Sequence, residues 1–303
     1  MAGAGVRDIL IDGPWRHRDL TANGIRFHVA TGLNFAPTRP LVVLLHGFGE
    51  SWWAWRHQIP VLDAAGLSAA ALDLRGYGAS DKTPRGYDLR TTAADVAGVV
   101  RSLGFRNAVL VGHDWGGMAA WATIAYAPVQ VRALASVAAP HPLAFPWRAD
   151  RATTAFFQLP LLPERRIVAD DGLYIESLLR GRSARPDFLT PAEARHYRDA
   201  MLAWPSPHCA LEYQRMFVRH HLRSSGRELR QALRRPTTIP VLSVRGQADR
   251  LVPVGSMTAA EPYVGRHDLV SLPGVGHLPH EEDPAAVTAA LQAWLADDPQ
   301  PSR

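Results

Sequence analysis

The chain has 303 residues, of which 47% are hydrophobic and 20% are charged, and its formal net charge is +5. This composition excludes a disordered protein, and the length fits one α/β domain with an insertion or two small domains. No apolar run is long enough to cross a bilayer, residues 1–11 lack a targeting pattern and Cys209 is the single cysteine, so we expect a cytoplasmic protein without a membrane span. The basic residues are spread along the chain without a stacking aromatic array, which argues against a nucleic-acid partner.

The N-terminal half alternates between apolar strand patterns and helical patterns. Residues 15–22 and 25–31 are predicted strands joined at Asn23-Gly24, a two-residue hairpin signal. Further predictions are strands at 41–45, 67–72, 107–111 and 131–138 and helices at 92–103 and 118–126. Near-continuous apolar strands that alternate with helices are typical of a mostly parallel sheet with helices on both faces.

The pattern changes at residues 140–142, which read Pro-His-Pro. From residue 141 to 236 the chain is helical, rich in arginine and interrupted by prolines, and strands resume at 239–244 and 268–272 before a last helix. We therefore predict an α/β core formed by residues 1–140 and 237–303, with residues 141–236 inserted as a helical cap.

Residues 112–117, Gly-His-Asp-Trp-Gly-Gly, lie between a predicted strand and a predicted helix. The pattern Gly-x-Asp-x-Gly has the form of a nucleophile elbow with Asp114 in the position that serine usually occupies. Glycines suit such a turn because closely packed neighbours leave no room for a Cβ atom. Asp114 is therefore the candidate nucleophile.

Two further reactive residues follow later strands, Asp249 after residues 239–244 and His277 after residues 268–272. The carboxyl ends of parallel strands face one crevice, so we expect Asp114, Asp249 and His277 to converge there as a catalytic triad. The loop after strand 41–45 begins His46-Gly47, and in this arrangement the backbone N–H groups of Phe48 and Trp115 form the oxyanion hole.

An aspartate at the elbow determines the chemistry. Its carboxylate is already ionised at neutral pH and can attack a strained or polarised sp³ carbon, as in an epoxide or an alkyl halide. The product is an ester on Asp114, and His277, oriented by Asp249, then activates the water that hydrolyses it.

Over nearly the whole chain, the sequence resembles the soluble epoxide hydrolases of the α/β-hydrolase superfamily. The resemblance rests on these motifs together with the aromatic run after His46-Gly47, residues 73–78 (Asp-Leu-Arg-Gly-Tyr-Gly) and Gly276-His277. The resemblance implies an α/β-hydrolase fold and an enzyme without a metal or other cofactor. It also implies that water is added to a small hydrophobic epoxide to give a vicinal diol.

The chain departs from that family at three positions. Gly49 stands where a proline is usual in the first loop, and Thr153 and Gln214 occupy the expected positions of the two cap tyrosines that hydrogen-bond the epoxide oxygen. Tyr213 lies one residue early, and we expect it to act as the ring-opening acid from a slightly rotated helix, because a phenol can release a proton and an amide cannot.

Two other functions are consistent with the same residues. A haloalkane dehalogenase has the same nucleophile and histidine and needs no acid for its leaving group, only N–H donors such as the Trp115 indole. Trp115 argues against a fluoroacetate dehalogenase, which carries arginine directly after the nucleophile. A hydrolase fold that only binds its ligand is the third alternative, which an intact triad disfavours.

Overall fold

The computed structural model of the protein describes residues 9–146, 149–221 and 224–297. Its strands are β1 (Trp15–Ala22), β2 (Ile25–Gly32), β3 (Leu41–Leu45), β4 (Ser68–Leu72), β5 (Ala108–His113), β6 (Val131–Val137), β7 (Val241–Gly246) and β8 (His267–Leu272). They form one sheet in the order β1-β2-β4-β3-β5-β6-β7-β8. β1 and β2 pair antiparallel, β2 pairs antiparallel with β4, and all later pairs are parallel, which confirms the predicted mostly parallel sheet.

Every residue of β3, β4, β5 and β7 is buried. Successive side chains of a strand point to opposite faces, so a strand that is buried throughout is covered on both faces. The covering elements are the α-helices α1 (Gln58–Ala64), α2 (Leu89–Ser102), α3 (Asp114–Tyr126), α4 (Arg151–Phe157), α5 (Leu162–Val168), α6 (Leu173–Arg182), α7 (Pro191–Leu202), α8 (Ser206–His221), α9 (Ser224–Leu233), α10 (Val254–Thr258), α11 (Pro279–Glu282) and α12 (Pro284–Ala296). Within the described ranges, no helix is both long and apolar enough to cross a bilayer.

The predicted hairpin is confirmed. Ala22 pairs with Ile25 across the turn, and both turn residues have positive φ, 52° at Asn23 and 78° at Gly24. Asparagine and glycine tolerate this left-handed conformation better than other residues, and it matches the twist of a two-residue hairpin.

The two largest differences from the predicted boundaries, at the starts of α2 and α3, have local reasons. Helix α2 begins at Leu89 rather than at residue 92, because Asp88 caps it by accepting a hydrogen bond from the backbone N–H of Thr91. Strand β5 continues to His113 and α3 follows at once from Asp114, so the turn at the nucleophile is tighter than the predicted gap between residues 111 and 118.

Helices α4 to α9 form an insertion between β6 and β7, within residues 141–236. Arg56 joins this insertion to the rest of the α/β core. Arg56, in the loop before α1, donates to Glu193 of α7 at 2.8 Å and to Glu281 of α11 at 2.7 Å. An aromatic contact lies nearby, where the Phe48 and Phe157 ring centroids are 5.1 Å apart. The insertion therefore packs directly over the loop that follows β3.

Candidate active site

The backbone is strained at Asp114, the first residue of α3. Its φ angle of +47° lies in the left-handed region, which is uncommon for any residue other than glycine. Neighbouring glycines permit the tight turn: a Cβ atom on Gly112 would lie 2.6 Å from the backbone of Gly116, and one on Gly116 would lie 2.3 Å from the carbonyl oxygen of Leu45. The turn places the Asp114 side chain at the carboxyl end of β5.

The loop after β3 supplies a donor to this carboxylate. The backbone N–H of Phe48 donates to Asp114 Oδ2 at 3.1 Å, as expected for an oxyanion-hole residue. Trp115 is the second residue of α3, so its N–H belongs to the first helical turn, where backbone donors have no partner within the helix. Both residues lie beside Asp114, and their part in catalysis stays a prediction.

The predicted histidine and acid are brought together at the ends of β7 and β8. His277 Nδ1–H donates to Asp249 Oδ2 at 2.9 Å, while Asp249 Oδ1 accepts from the backbone N–H groups of Leu251 and Val252 at 2.7 and 3.1 Å. Burial opposes ionisation of Asp249, but the interactions with His277 and these N–H groups hold its pKa below the ordinary value. The bond at Nδ1 leaves His277 Nε2 as the free base.

Behind the nucleophile lies a buried pair that sequence analysis missed. His113 donates through Nδ1 to Glu50 Oε2 at 3.0 Å and through Nε2 to the carbonyl oxygen of His277 at 2.8 Å. Both partners are acceptors, so both ring nitrogens carry hydrogen and the imidazole is positively charged. Burial opposes this charge, but Glu50 outweighs it and raises the pKa of His113 to about 9. The only sequence signal was the position of His113 directly before Asp114.

The same pair accounts for a cluster with metal-ligand chemistry. Glu50, His113 and His280 hold potential ligand atoms within 4.8 Å of one another. His113 uses both nitrogens as donors, so it has no lone pair for a metal ion. Burial lowers the pKa of His280 well below 6.5, and its ring centroid lies 4.4 Å from that of His113 with the two planes tilted by 43°. The donor role of both His113 nitrogens fits an internal ion pair with Glu50 rather than a metal site.

A cavity of about 620 Å³, including its open mouth, lies over the elbow. Asp114 and His277 both line it, so the nucleophile and the base face the same space. Its apolar wall includes Trp115, Met118, Phe145, Leu251 and Val252, and its other polar side chains are Asp150, Thr153, Thr154, Arg182 and Gln214. The positions predicted for the ring-opening tyrosines, Thr153 and Gln214, therefore do face the cavity.

The structure corrects the role expected of Tyr213. Its hydroxyl donates to the carbonyl oxygen of Arg75 at 2.9 Å, its ring packs against Tyr77 and Tyr87, and it does not line the cavity. Adjacent residues of a helix point about 100° apart, so Gln214 faces the cavity while Tyr213 faces the core. Burial also raises the pKa of Tyr213 well above 10, which makes it a weaker acid.

The alternatives to Tyr213 lie elsewhere as well. Tyr197 donates to Glu281, Tyr174 packs against Phe157, and Trp204 is 71% exposed. Among the described residues, no tyrosine lines the cavity. Any side-chain donor for a ring-opening step is therefore of another type.

Comparison with known proteins places this site in a family. The family model described as "alpha/beta hydrolase fold" matches residues 40–284. Epoxide hydrolase 4 of Mus musculus is 30% identical over 297 residues, covering 91% of this chain and 78% of the mouse protein. An AB hydrolase superfamily protein of Bacillus subtilis, YfhM, is also 30% identical, over 91% of this chain and 96% of its own length.

A solved structure shows the same likeness. Epoxide hydrolase A of Mycobacterium thermoresistibile superposes with a TM-score of 0.80 at 28% sequence identity. The match covers 93% of this chain and 98% of that structure.

Proposed function

Because this chain belongs to the α/β-hydrolase fold family, and within it to the group that contains the epoxide hydrolases, we propose that it adds water to an epoxide through an ester on Asp114. One observation carries the proposal: a carboxylate stands at the strained elbow, beside an N–H donor and in the same cavity as a histidine held by a second carboxylate. Each half of a two-step displacement and hydrolysis has a matching group.

In the first half-reaction, an Asp114 oxygen attacks one carbon of the epoxide from the side opposite the ring oxygen. The carbon–oxygen bond of the ring breaks, and its electron pair goes to the oxygen. A carboxylate needs no base for this attack, so His277 is not used until the next step. The driving force includes relief of the strain in the three-membered ring.

In the second half-reaction, His277 Nε2 takes a proton from water, and the water oxygen attacks the carbonyl carbon of the Asp114 ester. Asp249 stabilises the imidazolium that forms and keeps its Nδ1–H pointing inwards. The Phe48 N–H already contacts Asp114 Oδ2 and, with the Trp115 N–H, stabilises the tetrahedral oxyanion. Collapse of that intermediate breaks the ester bond, and the imidazolium returns its proton to the leaving oxygen to complete the diol. The Asp114 carboxyl group then loses its proton to solvent, which restores the carboxylate.

The cavity indicates the substrate class. Its apolar wall fits a small hydrophobic epoxide, and its polar side chains can hold the polar end of such a ligand. Residues 1–140 and 237–303 supply Asp114, Met118 and His277, whereas residues 141–236 supply Phe145, Thr153 and Gln214. We propose that the insertion is a cap that selects the substrate while the α/β core performs the hydrolysis.

The cavity also keeps a haloalkane dehalogenase as the second candidate. Among the described lining residues there is no tyrosine to assist an epoxide oxygen, and a halide leaving group requires none. The two functions share the ester on Asp114 and differ in the substrate that forms it.

The experiment uses His277→Gln, a panel of epoxides and haloalkanes, and intact-protein mass spectrometry after rapid quenching. The expected result is an adduct equal to the full mass of an epoxide, which accumulates because no base activates water. Asp114→Ala is the matched control and should show no adduct. A wild-type protein that releases halide but converts no epoxide would establish the dehalogenase instead, and the absence of any adduct would contradict the covalent mechanism.

A further inference from the structure

Arg182 lines the cavity together with Asp114 and His277, and it is the one arginine or lysine among the described lining residues. We propose that its guanidinium replaces the ring-opening tyrosines and donates a hydrogen bond to the epoxide oxygen as the ring opens. The inference rests on the proposed function, because it assigns the donor that epoxide opening requires.

The Arg182 side chain has a donor to spare. The side chain is 14% exposed and its Nε is enclosed by protein atoms, so the N–H groups at Nη1 and Nη2 are the ones that a ligand can reach. Nη2 lies 3.5 Å from Asp150 Oδ2, at the limit of hydrogen-bond distance, and Nη1 has no hydrogen-bond partner among the described residues. A ligand oxygen in the cavity can therefore accept from these terminal N–H groups.

Backbone contacts fix Arg182 relative to the catalytic histidine. The carbonyl oxygen of Arg182 accepts from the backbone N–H of His277 at 3.0 Å. Glu282 Oε2 clamps the same two segments, accepting from Gly276 at 2.8 Å and from Ala184 at 2.9 Å. The end of α6 and the histidine loop therefore form one unit, and a donor held in this way needs little reorganisation during the reaction.

Asp150 orients the guanidinium and also limits the choice of substrate. Its Oδ1 accepts from the backbone N–H of Thr153 at the start of α4, and its Oδ2 faces Arg182. With Asp114, the described lining residues include two carboxylates and one guanidinium, so an anionic substrate would meet net repulsion from them. The arrangement favours a neutral epoxide on which negative charge develops only during the reaction.

The step balances as follows. Attack by Asp114 forms a carbon–oxygen bond and breaks one bond of the ring, so the negative charge of the carboxylate moves to the epoxide oxygen. A terminal N–H of the Arg182 guanidinium stabilises this alkoxide but keeps its own proton, since a guanidinium is not deprotonated in proteins. The alkoxide takes a proton from a solvent water, and ester hydrolysis later returns one proton to solvent.

Thr153 and Gln214 also face the cavity, but they are weaker candidates for this role. A hydroxyl or an amide donates a neutral hydrogen bond, whereas a guanidinium adds a full positive charge where the negative charge develops. Hydrogen bonds to charged donors are roughly twice as strong as neutral ones.

The test measures the two half-reactions separately in Arg182→Gln, Arg182→Lys and Arg182→Ala. Rapid quenching with mass spectrometry gives the rate of ester formation, and the decay of the preformed ester gives the rate of hydrolysis. Ester formation should fall about 100-fold in Arg182→Gln, a size typical of a lost transition-state donor, while hydrolysis changes little. Arg182→Lys should recover part of the rate, and millimolar guanidinium should rescue Arg182→Ala.

Arg180→Gln is the matched control, because Arg180 lies on the same helix, pairs with Glu176 and does not line the cavity. Thermal melting identifies any variant that fails to fold. If Arg182→Gln does not fold, the proposal is judged on the rate of Arg182→Lys and on the guanidinium rescue of Arg182→Ala. Ester formation at the wild-type rate without Arg182 would overturn the role of Arg182 but not the proposed function. An equal fall in the rates of both half-reactions would do the same, because it indicates only that His277 has been displaced. A wild-type protein that converts no epoxide would overturn the proposed function as well.

Discussion

Replacing Glu50 with glutamine tests whether a positive charge stands behind the nucleophile. In the structure Glu50 raises the pKa of His113 to about 9, against the effect of burial. Glutamine has the same shape without the charge, so burial should then dominate and the pKa of His113 should fall below 6.5. His113 would lose one ring proton and could no longer donate to both the side chain at position 50 and the carbonyl oxygen of His277.

The size of the effect follows from linkage. A pKa raised from 6.5 to about 9 corresponds to about 3 kcal/mol of folding free energy. Because the pKa is higher in the folded state, this stabilisation is fully present below pH 6.5 and is lost as the pH rises towards 9. Glu50 has a lowered pKa, so its contribution requires a pH above about 4.5. The full effect therefore lies between about pH 5 and 6.5.

The assay is urea unfolding of the wild type and Glu50→Gln at pH 6 and pH 9.5, with an NMR titration of His113. The free energy of unfolding of the wild type should exceed that of Glu50→Gln by about 3 kcal/mol more at pH 6 than at pH 9.5. Asp95→Asn is the matched control: it breaks a buried ion pair with Arg75, which does not titrate in this range, so its stability loss should be the same at both pH values. A difference for Glu50→Gln that does not depend on pH, or a wild-type His113 that titrates below 6.5, would refute the reasoning.

Two other predictions concern packing. Gly116→Ala should lower the free energy of unfolding by roughly 2 kcal/mol or more, because the new Cβ atom would meet backbone atoms of Leu45. Gly255→Ala is the control and should unfold like the wild type in urea, because nothing lies within 4 Å of the added Cβ atom. Equal urea midpoints for the two variants would contradict the close approach at the elbow. Tyr213→Phe should cost about 1 kcal/mol, because the buried carbonyl of Arg75 loses its donor, and should leave the rate of ester formation unchanged. A tenfold slower ester formation in Tyr213→Phe would restore Tyr213 as the ring-opening acid.

The α/β fold and the family resemblance were predicted correctly because both depend on local signals. Continuous apolar runs identified the parallel strands, and reactive residues after those runs had to lie at one edge of the sheet. The placement of Asp249 beside His277 follows from this topology, because they come after the neighbouring strands β7 and β8, although they are 28 residues apart in sequence.

The contacts behind and above the nucleophile could not be predicted in this way. Glu50 and His113 are 63 residues apart, and no local pattern indicates that one carboxylate oxygen meets that imidazole. Tyr213 shows a second difficulty: a helix turns by about 100° per residue, so one position decides between core and cavity. The end of a strand fixes the edge of the sheet at which a residue lies. For a helix over the sheet, the rotation about the helix axis must also be known before a residue can be placed in the core or in the cavity.

The charges around the elbow give the proposed reaction a direction. Before attack, the negative charge lies on Asp114, which accepts from the Phe48 N–H and interacts electrostatically with the protonated His113. After attack, the charge lies on the epoxide oxygen, where the proposed partner is Arg182. A positive charge behind the carboxylate stabilises the resting enzyme and opposes the transfer, so the cation in front has to compensate. Loss of Arg182 should therefore slow ester formation more than loss of a neutral donor such as Gln214.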